Sequence, residues 1–284
     1  SATIAATALG DIGAKTSGTV TVSNAVKIVG AASDLTNTLV TSGSSVTAST
    51  ALVDISDGNF ASTSATIAAT ALGDIGAKTS GAVTVTKAVK IVGAASDLTN
   101  TLVTSGSSVI ASKALVDISD GTFASTSATI AATALGEIGA KTSGTVTVSN
   151  AVKIVGAASD LTNTLVTTGS SVIASQALVD ITDASFASTS ATIAATVLSN
   201  IGAKTSAAVT LQNLVRIEGT QSEVKAALVT DASKVVADTT NTEARVTDAV
   251  NASEGDEIGS VAKIKGIFAG GVSDSLSNLA SGGN

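Results

Sequence analysis

The sequence predicts an α/β fold: a right-handed solenoid of four 63-residue repeats with parallel β-sheet, short helices and a C-terminal cap. Three observations predict it. The stretch SATIAATALGDIGAKTSG at Ser1 returns nearly verbatim at Ser64 and Ser127, and in degraded form as SATIAATVLSNIGAKTSA at Ser190. Runs of β-branched residues recur twice in each period. Between those runs lie segments whose apolar residues fall at helical spacing. Self-similarity at a fixed long period marks units that bury their apolar faces on one another, and an aliphatic 63-residue unit without metal or disulfide buries little on its own.

In chain order, Ile4, Ala8, Leu9 and Ile12 share one helical face, and Asp11 stands four residues before Lys15 in the favourable order for a helix-surface pair. Asp74 with Lys78 and Glu137 with Lys141 repeat that spacing. Next comes TVTVSNAVKIVG, where alternation puts Val20 and Val22 on one face of a strand and Val26 and Ile28 on one face of another, with a corner at Ser23 and Asn24. Leu35 and Leu39 then follow Ser33 and Asp34, which read as an N-cap and first turn. A second β-branched pair, SVTASTALVDISDG from Ser45, closes the period. Taking Lys27 and Asp54 as equivalent gives coils that alternate between 27 residues and the 36 from Asp54 to Lys90. Parallel crossovers are right-handed, which sets the expected hand.

The predicted organisation is repeat 1 over 1–63, repeat 2 over 64–126, repeat 3 over 127–189, a divergent repeat 4 over 190–249, and a cap and tail over 250–284. The match fades from Leu211 onward, where Arg216, Glu218, Glu223, Lys225, Asp238, Glu243 and Arg245 bring in charge. Solenoid ends need polar covers. The cap is expected to turn Ile258, Val261, Ile264, Ile267 and Phe268 inward and to end in a mobile Gly-rich tail.

Composition narrows function. The 284 residues include four Phe but no His, Cys, Met, Trp, Tyr or Pro, so there is no imidazole base, thiol nucleophile or phenol for catalysis. Every Ser, Lys and Asp grouping recurs in several copies, whereas active sites are single constellations; the expectation is no enzyme. A net charge of −7 argues against nucleic acid as a partner. No run of about 18 apolar residues predicts membrane insertion. Phe60, Phe123 and Phe186 recur at one place in the period and read as core knobs.

Two constellations remain. In DISDGNF and its later copies, Asp54, Asp57, Asp117, Asp120, Asp180 and Asp183 are the candidate calcium ligands, calcium being the one cofactor the sequence admits. Against it stands a strand followed by a solvated Asp-Gly turn. If half-repeats stack in register, Lys27, Asp54, Lys90, Asp117, Lys153 and Asp180 form one ladder of alternating charge. The second constellation is an assembly edge. Val20, Val22, Val26 and Ile28 of the first repeat are the residues later repeats use against a preceding coil, and no Pro or inward charge blocks pairing there.

The VTVSNAVKIVGAASDLTNTLV and ALVDISDG stretches resemble the Thr-, Val- and Ala-rich tandem repeats of very large bacterial surface and secreted proteins, such as type I-secreted adhesins and cyanobacterial cell-surface giants. The resemblance covers residues 1 to 237. It implies an extracellular or cell-surface structural protein, a fibre, surface-layer or stalk component assembling head to tail. Its partners would be copies of itself or upstream repeats of a longer chain. The alternative is an adhesin module that binds glycan or another surface ligand.

Overall fold

The computed structural model describes residues 2–274. It is α/β, with parallel sheets joined through short helices and no closed barrel. In the first copy of the sequence period, β1 (Thr3–Ala5) runs directly into α1 (Ala6–Gly13), followed by β2 (Val20–Thr21) and β3 (Lys27–Gly30). Then come α2 (Ala32–Leu35), which continues as a π-helical turn over Thr36–Val40, β4 (Val46–Thr47), β5 (Leu52–Ile55) and α3 (Phe60–Thr63). The second copy repeats this as β6 (Thr66–Ala68), α4 (Ala69–Gly76), β7 (Val83–Val85), β8 (Lys90–Gly93), α5 (Ala95–Leu98), β9 (Val109–Ile110), β10 (Leu115–Ile118) and α6 (Phe123–Thr126). The third holds β11 (Thr129–Ala131), α7 (Ala132–Gly139), β12 (Val146–Val148), β13 (Lys153–Gly156), α8 (Ala158–Leu161), β14 (Val172–Ile173), β15 (Leu178–Ile181) and α9 (Phe186–Thr189). The fourth holds β16 (Thr192–Ala194), α10 (Ala195–Gly202), β17 (Val209–Leu211), β18 (Arg216–Gly219), α11 (Gln221–Leu228), β19 (Val235–Ala237) and β20 (Thr242–Val246); α12 (Ala252–Gly259) and β21 (Ile264–Phe268) follow.

The residues group into two compact units. One comprises Ser1–Asp120, Ala134–Ser149 and Ser171–Ile173; the other comprises Gly121–Thr133, Asn150–Ser170 and Ala174–Asn284. The first unit holds sheets in the order β1-β3-β5-β7-β9 and β14-β12-β10-β8-β6, and the pair β2-β4. The second holds β11-β13-β15-β17-β19 and β16-β18-β20-β21. Apart from β20 and β21, neighbours within a sheet are two strands apart in sequence, so the chain leaves a sheet, places one strand elsewhere and returns. In the first sheet Thr3 opposes Lys27, Lys27 opposes Leu52, Val53 opposes Val83 and Val83 opposes Val109, giving returns after 24, 25, 30 and 26 residues. The expected alternation of 27 and 36 is replaced by steps of 24 to 30. Each copy contributes five strands, an odd number, so equivalent strands of successive copies enter different sheets. β1, β3 and β5 of the first copy are thereby completed by β7 and β9 of the second.

Local chemistry explains the elements. Ile4 lies in β1 and not in the expected helix, because Thr3, Ile4 and Ala5 pair with Lys27, Ile28 and Val29. The helix starts one residue later without a side-chain cap and ends at Gly13, before Lys15; among the described residues Asp11 and Lys15 form no ion pair. The corner at Ser23 and Asn24 is present, separating β2 and β3 into different sheets. The expected N-cap at Ser33 is not used. The cap residue is Ala31, and the Ala32 N–H donates instead to Asp57 Oδ2 at 2.7 Å, a carboxylate brought in from the next passage of the chain. The π-helical turn carries Thr38 inward, where its hydroxyl donates to the Ala6 carbonyl at 2.9 Å. Gly93 is required by close approach: a Cβ there falls 2.7 Å from the Ala69 Cβ.

The core is aliphatic. Ile28, Leu35, Ile55, Leu72, Ile91 and Leu98 are among the first unit's largest fully buried side chains, and Ile154 and Leu161 among the second's. No described buried side-chain polar atom lacks a partner. In the terminal region Ile258 is fully buried, while Val261, Ile264, Ile267 and Phe268 are half-buried. The Gly-rich tail expected to be mobile falls largely outside the described residues. The added charges of this region pair: Arg216 with Glu243 at 2.6 Å, Arg245 with Glu218 at 2.7 Å, and Lys225 with Glu257 at 2.5 Å. Hydrogen bonding to Glu257, followed by its charge, holds the Lys225 ammonium above its ordinary pKa despite some desolvation.

Asp57→Ala is expected to lower stability by about 1 kcal/mol, as loss of a helix cap does, and Asp57→Asn to lower it less. Urea unfolding of the two variants against the parent chain measures the difference.

Candidate functional site

The residue types that carry charge in the period converge on one repeated arrangement. Lys90 Nζ lies 4.3 Å from the centroid of the Phe60 ring and 3.6 Å from Asp117 Oδ2. In the second unit Lys153 lies 4.3 Å from the Phe123 ring and 2.8 Å from Asp180 Oδ2. Arg216 sits 3.7 Å from the Phe186 ring, and its Nε and Nη2 both donate to Glu243 Oε2, at 2.8 and 2.6 Å. Each cation is thus held between a ring from the preceding copy and a carboxylate from its own. The phenylalanines are half-buried lids over a cation, which corrects their reading as core knobs. Every aromatic face attracts a cation by its quadrupole, worth about 0.5–1 kcal/mol at exposed sites, and a partly exposed ion pair adds about 0.2–1 kcal/mol.

The expected single charge ladder is not formed. Lys27 opposes Leu52, and Asp54 stands two residues further along β5, so the pair meets on a diagonal at 3.4 Å. On its far side Asp54 opposes Thr84, not Lys90. Lys90 and Asp117 belong to another sheet, as do Lys153 and Asp180 to a third. Separate pairs replace the ladder because consecutive copies enter different sheets.

The candidate calcium ligands are engaged separately. Asp54, Asp117 and Asp180 face lysines, and Asp117 also accepts from the Ser149 hydroxyl at 2.8 Å. Asp57, Asp120 and Asp183 accept the N–H groups of Ala32, Ala95 and Ala158 at 2.7, 2.7 and 2.6 Å, each at the start of a short helix. Among the described residues no group of three or more acidic side chains gathers to hold a metal ion. The structure spends the six carboxylates on register and on helix starts. The hydroxyls of Ser44, Ser107 and Ser170 likewise donate to the carbonyls of Thr38, Thr101 and Thr164. A surface hollow of about 370 Å³ beside α8 includes one carboxylate, Asp183, already bonded to Ala158.

The assembly edge divides. Val20 and Val22 lie at or beside β2, half-exposed, and Val26 is half-exposed as well. Ile28 is not on this edge: it is fully buried in β3, between Ile4 of β1 and Val53 of β5. Ile12 joins the exposed set at 56% exposure, whereas its equivalents Ile75, Ile138 and Ile201 are at 0%. Val83 and Val85, equivalent to Val20 and Val22, are buried at 0% and 1%.

Comparison with known proteins finds no matching family model, no matching curated protein and no matching solved structure. No helix among the described residues is long and apolar enough to cross a membrane.

Two outcomes follow from these placements. Ile75→Ala is expected to cost about 2–5 kcal/mol as a fully buried truncation, and the identical change at Ile12 less than about 0.5 kcal/mol; chemical denaturation of both variants measures the gap. Calcium and a calcium chelator are each expected to leave the melting temperature unchanged, as read by differential scanning calorimetry.

Proposed function

We propose that the chain is a right-handed solenoid of four 63-residue repeats closed by a cap, and that it acts mechanically as a fibre, surface-layer or stalk component outside a bacterial cell. One observation carries the reading: a sheet begun by one copy is completed by the next, as β5 of the first copy receives β7 of the second through Val53, Asp54 and Ile55 against Val83, Thr84 and Val85. A join made of backbone hydrogen bonds along a sheet resists separation as a set, and the cation between ring and carboxylate fixes its register. Among the described residues the carboxylates of the period are held by lysines and helix N–H groups, mostly within their own copy, and its buried threonines by backbone carbonyls. The sequence resemblance to bacterial surface repeats supports the extracellular location. α12 and β21 support the cap reading, since Ile258 is fully buried and α12 packs on β21 and α11.

Labelling with antibody on intact cells and negative-stain imaging of the purified chain test this role. The expected result is surface labelling, with rods or filaments in the purified sample; labelling confined to the cell interior overturns it. Deleting residues 250 to 284 is expected to lower the melting temperature by several degrees or to cause aggregation, as removal of a polar end cover does; an unchanged monomeric truncation overturns the cap.

A further inference from the structure

β7, β12 and β17 each carry a neighbouring strand on one side in the same register. Val53 opposes Val83, Val116 opposes Val146, and Val179 opposes Val209. In all three cases the neighbour is a Leu-Val-Asp-Ile strand of the preceding copy. β2 has the same local sequence but, among the described residues, pairs only with β4. The N–H groups of Val20 and Val22 donate to the Ser45 and Thr47 carbonyls on the β4 side. Strand alternation therefore points the Thr21 N–H to the other, open side.

Four further differences surround this edge. Val26 is half-exposed, while its equivalents Val89 and Val152 are fully buried. Thr79, Thr205 and Thr16 each accept from the N–H two residues on, but Thr79 and Thr205 also donate to the carbonyls of Ala51 and Ala177, each at 2.5 Å, just ahead of the incoming strand, a bond that has no counterpart at Thr16 among the described residues. A Cβ on Gly81 falls 2.2 Å from the Ala51 oxygen, and one on Gly144 falls 2.2 Å from the Ala114 oxygen. At Gly18 the nearest such atom is the Thr16 hydroxyl at 3.5 Å. Finally, Lys27 has its carboxylate but no ring among the described residues; its side chain is 40% exposed against 29% for Lys90 and 22% for Lys153.

We propose that the open edge of β2 is the docking site for a preceding copy of this repeat, joined to the amino-terminal side of the chain, which lays its Leu-Val-Asp-Ile strand on Val20–Val22 and its phenylalanine over Lys27. This rests on the reading of the chain as a stacked repeat array. The occupant is defined by what occupies the three equivalent edges. Its connection is defined too: α3 and α6 end at Ser64 and Ser127 in the left-handed region, at φ 52° and 54°, and each leads within two residues into the first strand of the following copy. A segment seated on β2 in the same way arrives at β1. The edge strand β21 of a second molecule fits less well, because it presents Gly266 where β5, β10 and β15 present valine.

The test fuses a copy of residues 64–126 ahead of Ser1 of the full chain and compares amide hydrogen exchange in the extended and original proteins. Exchange of the Thr21 amide is expected to slow about tenfold or more, to the rate of Thr84, with the fast-exchanging amide moved to the corresponding threonine of the added copy. A Thr21 amide that stays fast while Thr84 stays slow overturns the docking and leaves the stacking of the later copies intact. A Thr21 amide already protected in the original chain, increasingly so with concentration, places a second molecule on the edge and overturns the assignment.

Discussion

An odd number of strands per sequence period is the constraint on which the rest of the structure depends. With an even number, strands that alternate between sheets would return to the same sheet in every copy, and each sheet would repeat a single set of strands. With five, the first, third and fifth strands of a copy share a sheet with the second and fourth strands of the following copy. Cohesion between copies is therefore made of the same backbone hydrogen bonds that hold a copy together. Side chains confirm the join without being its main source: three half-buried cations, each worth little alone, stand where two copies meet.

That constraint also explains how a core without Trp, Tyr or Met is held. Aliphatic side chains of similar size fill repeated places, and their specificity is low because Val, Ile and Leu pack interchangeably within modest volume changes. Register is set elsewhere. Carboxylates reach across to helix N–H groups, as Asp57 does to Ala32, and buried threonines reach carbonyls of neighbouring passages, as Thr38 does to Ala6. Polar groups thus choose among packings that the apolar groups would tolerate nearly equally.

Part of this was legible in the sequence. The β-branched runs around Val20 and Val53 are strands, and the Ser23–Asn24 corner parts two sheets, because alternation and a polar break are local signals. The three-residue strand at Ile4 was hidden, since Ile4 also sits at helical spacing from Ala8 and a strand so short carries no period of its own. Equating Lys27 with Asp54 matched letters in VKIV and VDIS, but strand pairing shifts them by two residues, and that shift turns a ladder into diagonal pairs. The capping role of Asp57 was out of reach for a similar reason: its partner lies 25 residues away and becomes a neighbour only after the chain has returned to the same sheet. Of the candidate edge residues, Val20, Val22 and Val26 are half-exposed, whereas Ile28 is fully buried because its own copy flanks it with β1 and β5.

The recurring join between a Leu-Val-Asp-Ile strand and a Val-Thr-Val strand has a consequence for inheritance. Because β5 meets β7 through the same residue types by which β10 meets β12, recombination that removes the second copy whole would bring β5 against β12 and find a matching partner. Removal of half a copy would instead set strands of the wrong kind side by side and strand a phenylalanine away from its cation. Unequal crossing-over in a gene of this design therefore preserves strand pairing when it adds or removes 63 codons at a time, the unit that keeps each strand beside a partner of the right kind.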